Sequence, residues 1–142
     1  MKKILALASL ALLAAVWVQA AEPDRITVQH ILISFKGAID KPEVTRTRSE
    51  AEALAKALLE RIKKGEDFAA LVKGYTDDQN PGIYSMSNFN VKPDPTKAEY
   101  PRDRMVKAFG DVGFSLKVGE VGLASYDQVK SPFGWHIIKR LQ

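Results

Sequence analysis

Apolar and polar positions follow two different periods along this chain, and the changes of period divide it into structural elements. Residues 25–35, RITVQHILISF, are rich in β-branched and aliphatic side chains and predict a strand. From 47 to 64 the apolar positions recur every three or four residues, as in a helix with one buried face. Thr47 and Glu50 have the spacing of a capping box, and Gly65 provides a stop.

The rest of the pattern predicts a second and a third helix and three further strands. Asp67 is placed to cap a short helix whose inner face consists of apolar and aromatic residues, namely Phe68, Leu71, Val72 and Tyr75. Residues 83–89 predict a strand and residues 103–116 a helix. The stretches 121–126 and 133–141 predict the last two strands, and the short loop between them favours antiparallel pairing.

This order of elements favours an α+β fold over a doubly wound sheet, because strands and helices do not alternate strictly. We expect a small antiparallel sheet of about four strands surrounded by about three to four helices. Residues 90–103 carry three prolines and predict a long loop. Long ordered loops in compact domains are often functional.

The first twenty residues are typical of a secretory signal peptide. Lys2 and Lys3 precede an apolar run of fifteen residues, and small residues precede Ala21. The run is shorter than the about 20 residues that a membrane-spanning helix needs, although an uncleaved anchor is the alternative. We therefore expect residues 1–20 to be removed and residues 21–142 to form one exported domain, in a bacterial periplasm or in the medium, with no membrane attachment after cleavage.

Composition narrows the possible functions. The chain has no cysteine, so it forms no disulfide. Loss of Lys2 and Lys3 with the leader lowers the formal net charge from +4 to +2, and no basic block with interleaved aromatics remains, which argues against a nucleic-acid partner. The two histidines occur without an HExxH spacing, so we expect no metal and no cofactor. No GxSxG stretch is present either, which disfavours a serine nucleophile.

Both histidines, His30 and His136, fall inside apolar strand sequence at opposite ends of the chain. A single histidine in such a strand is more often a core residue than a catalyst. Buried imidazoles need partners for both ring nitrogens, and two histidines on neighbouring strands can supply each other. Such a network can be catalytic, or it can simply fix a core.

Four segments, taken together and in this order, resemble the parvulin-type peptidyl-prolyl cis/trans isomerases. They are VQHILIS, SEAEALAKALLERIKKGEDFAALVKGYTDD, MVKAFGDVGFSLKVGEVG and SPFGWHIIKR. The resemblance covers roughly residues 26 to 141 and implies a parvulin/FKBP-like fold. It also implies that the domain catalyses rotation about the bond that precedes proline.

The resemblance implies a set of catalytic residues. The two central histidines of the family match His30 and His136, and the Cys or Asp beside them matches Asp78. Ser131 stands where the family often has Ser or Thr. Apart from the resemblance, Asp78 would indicate no more than a turn-forming aspartate before Pro and Gly.

The resemblance also implies a pocket for the proline ring, formed by Met105 and Phe109, with Ile83 and Phe133 as further substrate-binding residues. The spacing of Met105 and Phe109 places them on one face of the predicted helix. Such a pair usually belongs to a core, but a thioether and an aromatic ring can also form an apolar cup.

The sequence therefore favours a monomeric isomerase that acts on unfolded or partly folded proline-containing polypeptides. The alternative is a chaperone-type peptide-binding module of the same fold without catalysis, and a third possibility is a structural domain whose histidines only tie strands together. PRDRM replaces the family's usual Gly-Gln-Met segment, and the loop before it is longer, so this chain differs from the family around the pocket. The first loop has no compact basic cluster, because Arg46 and Arg48 are separated, and phosphoserine recognition is not inferred.

Overall fold

The computed structural model describes residues 20–142, and the predicted signal peptide lies outside these residues except for Ala20. The strands are β1 (Arg25–Ile33), β2 (Ile83–Ser87), β3 (Tyr100–Pro101), β4 (Val121–Ala124) and β5 (Trp135–Arg140), and the helices are α1 (Arg48–Lys63), α2 (Phe68–Tyr75) and α3 (Lys107–Ser115). The five strands form one sheet in the order β3-β2-β1-β5-β4.

The predicted α+β class is confirmed, but the sheet has five strands instead of about four and is mixed instead of antiparallel. The additional strand, β3, pairs in parallel with β2 at Met86–Tyr100 and Ser87–Pro101. It has only two residues, too few to produce an alternating pattern in the sequence. Because Pro101 has no backbone N–H, this strand suits the edge of the sheet, where that donor is not needed.

The two predicted helix starts are confirmed, and both helices cover one face of the sheet. The Thr47 side chain accepts from the Glu50 N–H and the Glu50 carboxylate accepts from the Thr47 N–H, which is the complete capping box. Asp67 caps α2 by accepting from Ala70 N–H. Alternate residues of β1 and β5 pack against these helices, and the buried members of this core are Ile31, Ile33, Ala51, Ala55, Leu58, Phe68, Leu71, Val72, Trp135 and Ile137.

Helix α3 covers the opposite face and begins later than predicted. Arg102–Arg104 form a one-turn 3-10 helix, and Met105 follows with extended backbone (φ −88°, ψ 162°). The prediction that Met105 and Phe109 share a helix face is therefore wrong, because α3 starts only at Lys107. The ψ angles of Met105 and Val106, 162° and 125°, are not helical, so they separate the 3-10 turn from α3, a break that the apolar spacing does not reveal. The buried residues of this second core are Ile26, Val28, Met86, Phe109, Phe114, Ala124 and Ile138.

The entry into β5 depends on a close backbone contact at Gly134. This residue has φ 136°, and a Cβ at its position would overlap the carbonyl oxygen of Ile33 on β1. A residue without a side chain is therefore needed for β1 and β5 to come together at this end of their ladder. No helix within residues 20–142 has both the length and the apolar character that crossing a bilayer requires.

One buried cation fixes the start of α3. Arg102 is 7% exposed, and its guanidinium lies between the rings of Phe89 and Phe114, 4.5 and 4.6 Å from their centroids. It donates hydrogen bonds to the carboxylates of Glu22 (2.6 Å) and Asp111 (3.0 Å). Arg102 thus connects the segment before β1, the long loop and α3, and it does so three residues before Met105.

We predict that Arg102→Met lowers the free energy of unfolding by about 2–3 kcal/mol, because it removes charge-assisted hydrogen bonds and two cation–π contacts at once. The exposed Arg104, two residues along, provides the matched control. Arg104→Met should change stability by no more than about 0.5 kcal/mol. Urea unfolding of the two variants measures the difference, and equal effects would contradict the role given to Arg102.

Candidate active site

The two histidines come together because their strands are neighbours. In the β1–β5 ladder, His30 is opposite Ile138 and Leu32 is opposite His136, so the histidines are diagonal neighbours on the face that α3 covers. Their Nδ1 atoms are 3.2 Å apart, and their rings stack with centroids 5.4 Å apart. The prediction that they partner each other is confirmed, and it explains why both lie within apolar strands.

Asp78 extends this pair into a chain of hydrogen bonds. Its Oδ2 is 2.9 Å from His30 Nε2 and also accepts the Tyr84 hydroxyl at 2.7 Å. The turn that carries Asp78 is attached to β1, because the Leu32 N–H donates to the Thr76 hydroxyl at 3.1 Å. The resulting chain runs from Tyr84 through Asp78 and His30 to His136.

The ionisation of Asp78 determines which ring nitrogen of His30 donates to it. The hydrogen bond from His30, helped by the one from Tyr84, outweighs burial and holds the pKa of Asp78 well below its usual range. An ionised carboxylate can only accept, so the proton of His30 lies on Nε2. The other ring nitrogen of His30, Nδ1, shares a hydrogen bond with His136 Nδ1.

His136 is the buried end of the chain. Burial, reinforced by the charge that His30 can carry, lowers the pKa of His136 to about 3, so its ring is neutral. Its Nε2 atom is buried, and no residue between 20 and 142 forms a hydrogen bond with it. Within the part of the chain that the structure describes, the polar chain therefore ends at this ring nitrogen, on a residue that lines a cavity.

The cavity has a volume of about 380 Å³, a size typical of small-ligand sites. Its wall is mostly apolar and is formed by Leu32, Ile39, Met105, Val106, Phe109 and Phe133, and its polar residues are His30, Asp40, Lys41, Asp77, Asp78, Tyr84 and His136. Phe109 contacts both imidazoles edge-on, at centroid distances of 5.0 and 5.4 Å. One cavity thus brings the polar chain against an apolar cup.

Six of the eight residues predicted for the site line this cavity, and these are His30, Asp78, Met105, Phe109, Phe133 and His136. Ser131 does not line it. Its hydroxyl is fully buried and donates to the Gly134 carbonyl at 2.9 Å, so it shapes the turn before β5. A short polar side chain close to Gly134 is better explained by turn formation than by chemistry.

Ile83 does not line the cavity either, and Tyr84 lies there in its place. Ile83 is opposite Gln29 in the ladder with β1, and consecutive strand residues face opposite sides, so Ile83 lies on the other side from His30. A shift of one residue along a strand exchanges the two faces. The alternation of Tyr84 with the buried Met86 could have identified Tyr84, whereas the loop residues around the cavity carry no comparable signal.

No group of three or more histidines, cysteines or acids within residues 20–142 is arranged to hold a metal ion. The side chains of Tyr84, Asp78, His30 and His136 are instead hydrogen-bonded to one another. What this arrangement offers chemically is a fixed negative charge on Asp78, a neutral imidazole at His136 and a largely apolar wall.

Comparison with known proteins agrees with this geometry. The family model described as PPIC-type PPIASE domain matches residues 13–142. The foldase protein PrsA 4 of Bacillus cereus is 36% identical over 99 residues, which are 70% of this chain and 31% of that protein. The chaperone SurA of Pseudomonas fluorescens is 30% identical over 118 residues, which are 83% of this chain and 23% of that protein. This chain therefore spans less than a third of the length of these relatives.

Two solved structures share the fold. The solution structure of TbPIN1 matches with a TM-score of 0.62 at 22% identity, over 84% of this chain and 98% of that one. The peptidyl-prolyl isomerase ESS1 from Candida albicans matches with a TM-score of 0.59, also at 22% identity, over 84% of this chain and 63% of that one. At this level of identity the comparison establishes the fold alone.

We predict that the protein loses stability as the pH falls from about 6.5 towards 3. An unfolded chain takes up a proton at His136 below its ordinary pKa of about 6.5, whereas the folded chain resists protonation down to about 3. The unfolded state binds more protons in this window, so the free energy of unfolding falls by up to about 1.4 kcal/mol per pH unit.

Urea unfolding at pH 7.5, 6, 5 and 4 measures this slope. His136→Phe, which keeps a ring of similar size but cannot titrate, should flatten it whatever its effect on stability at neutral pH. A variant that retains the full slope would contradict the assignment of the titration to His136.

Proposed function

Because this chain belongs to the PPIC-type peptidyl-prolyl isomerase family, we propose that its cavity catalyses cis/trans rotation about Xaa-Pro bonds in polypeptides that fold after export. The observation that carries the proposal is that Met105 and Phe109 line the same cavity as the chain of His30, Asp78 and His136. An apolar cup next to a fixed charge is what this reaction requires.

The reaction needs neither a nucleophile nor a cofactor. Rotation about a peptide bond has a barrier of about 18–20 kcal/mol, whereas the two Xaa-Pro isomers differ by only about 0.5–1 kcal/mol. A catalyst therefore has only to favour the twisted amide over both planar forms. Met105, Phe109 and Phe133 would bind the proline ring through apolar contacts and hold it still while the preceding carbonyl rotates.

Asp78 would supply the electrostatic part of catalysis. Amide resonance places negative charge on the carbonyl oxygen, and that charge is smaller in the twisted state. A nearby carboxylate in a cavity with a largely apolar wall therefore disfavours the planar amide more than the twisted one. His30 and Tyr84 would keep Asp78 ionised and oriented, and His136 would hold the His30 ring in place through the contact between their Nδ1 atoms.

The biological setting is also part of the proposal. Relatives named as a foldase and as a chaperone support folding polypeptides as the clients. The proposal also includes weak binding by a monomer that takes neither nucleic acid nor a membrane as partner. Export rests on the leader pattern of residues 1–20. The name of the second relative also favours the other candidate function, a module that binds peptides without isomerising them.

We predict that the purified domain accelerates cis/trans exchange in Ala-Pro peptides and that Asp78→Asn lowers kcat/KM roughly 100-fold, the scale on which loss of one preorganised charged group acts. Met105→Ala should weaken peptide binding about tenfold through lost apolar contact. Exchange NMR and a coupled protease assay measure both effects.

Asp103→Asn is the matched control, because this exposed acid does not line the cavity, and it should leave kcat/KM unchanged. Peptide binding without any acceleration would favour the non-catalytic module. Full activity in Asp78→Asn would show that the carboxylate has no part in the reaction.

A further inference from the structure

A second, smaller cavity adjoins the one that holds the histidines. We call it the notch, and its volume is about 290 Å³. The residues that line it are Phe89, Arg102, Asp103, Met105, Lys107 and Asp111. Met105 also lines the larger cavity, so the two spaces meet at its side chain, whereas His30, Asp78 and His136 line the larger cavity and not the notch. The notch therefore extends the site beyond its apolar wall.

Phe89 is an apolar wall of the notch, and it is exposed but fixed in place. It is 53% exposed, and the Arg102 guanidinium packs against its ring, 4.5 Å from the centroid. Its N–H donates to the Asn88 side chain at 2.8 Å, and the Asn88 N–H donates to the Asp24 carbonyl at 2.8 Å. A lone exposed apolar side chain needs no explanation, but a ring held beside a cavity offers a binding surface that loses little entropy when it is used.

The charged residues of the notch are engaged mainly with one another. The Asp111 carboxylate accepts hydrogen bonds from Arg102 at 3.0 Å and from Lys107 at 2.7 Å. What the notch offers a ligand is chiefly apolar contact, from Phe89 on one side and from Met105 where it joins the larger cavity. An uncharged apolar side chain fits this surface better than a charged one, which would lose hydration without gaining a free partner.

We propose that the notch is a second binding subsite for the client polypeptide and that it takes an apolar side chain of the second residue after the proline. This inference rests on the proposed function, since it assumes that the proline ring occupies the larger cavity. Phe89 and Met105 would contact the apolar side chain together, and Met105 would contact the proline ring as well.

The geometry of an extended peptide gives the spacing. Each residue advances the chain by about 3.3 Å and successive side chains point to opposite sides. The side chain two residues from the proline is therefore about 7 Å away on the same side as the ring, and the side chain between them points away from the protein. The carbonyl ahead of the proline would face Asp78, so the chain after the proline is the part that leaves past Met105.

The expected gain is in binding and not in the rotation step. The second residue after the proline keeps its contacts while the bond ahead of the proline rotates, so the notch binds the ground state and the twisted state equally. Uniform binding of this kind lowers KM and leaves kcat unchanged. Partial burial of a leucine side chain should lower KM about fivefold. Because the contact is apolar, 1 M NaCl should not abolish the effect.

The first test uses three blocked peptides of identical composition, in which one leucine moves around an alanine host. They are Ala-Ala-Pro-Ala-Leu, Ala-Ala-Pro-Leu-Ala and Leu-Ala-Pro-Ala-Ala. Exchange NMR over a range of peptide concentrations should give the first peptide a KM about fivefold lower than that of the other two, at the same kcat. Equal KM values, or a lower KM for either other peptide, would overturn the inference and leave the isomerase function intact.

The second test asks whether Phe89 forms the subsite. Phe89→Ala should abolish the difference in KM, whereas Phe89→Leu keeps an apolar wall without a ring for Arg102 and should keep most of it. Tyr100→Ala is the matched control, because Tyr100 is a similarly exposed aromatic residue (48%) that lines neither cavity, and the difference should persist. Loss of the difference in folded Phe89→Leu would assign it to the support of Arg102, and its full retention in folded Phe89→Ala would refute the subsite.

The wild-type peptide series and Phe89→Leu keep the inference testable even where Phe89→Ala does not fold, which far-UV circular dichroism would show. Lack of acceleration for all three peptides would count against the proposed function instead. In that case, dissociation constants of the same peptides, measured by fluorescence anisotropy, report the subsite directly. Equal dissociation constants would then reject the subsite too.

Discussion

The site depends on the pairing of two strands that are far apart in sequence and adjacent in the sheet. β1 and β5 meet in a register that sets His30 and His136 diagonally on one face, close enough for Nδ1 to meet Nδ1 at 3.2 Å. A slip of one residue in this ladder would turn one imidazole to the opposite face, among the side chains that pack against α1 and α2. The other face of the same strands carries the larger core, so the contacts that stabilise the fold also hold the register of the site.

Two opposite effects of environment are combined in one hydrogen-bonded chain. Asp78 remains charged because donors surround it, and His136 remains neutral because the protein excludes water from it. Both conditions depend on α3, since Phe109 packs against the two imidazoles. Arg102 anchors the start of that helix from outside the cavity. The polar chain and the apolar cup are therefore parts of one packed unit and not two independent features.

The sequence predicts most of the fold because its main signals are local. The capping box of Thr47 and Glu50 lies within four consecutive residues, and the strands that hold both histidines are strongly apolar. The misses occur where position depends on distant parts of the chain. Tyr84 lies in the cavity because of the register of β2 with β1. The family resemblance was placed one residue away on this strand and therefore indicated Ile83. Met105 keeps its place in the cavity although it is outside α3, because the turn at Arg102 brings it there and the helical spacing does not.

The contact at Gly134 gives a criterion for recognising homologous domains that have lost the histidine pair. A side chain at this position would separate β1 from β5 at the end of the ladder where the imidazoles meet, while the packing of α1 and α2 on the far face could survive. Among homologous sequences, replacement of this glycine is therefore expected to accompany decay of the histidine pair. Such sequences would keep the architecture without the polar chain that ends at His136.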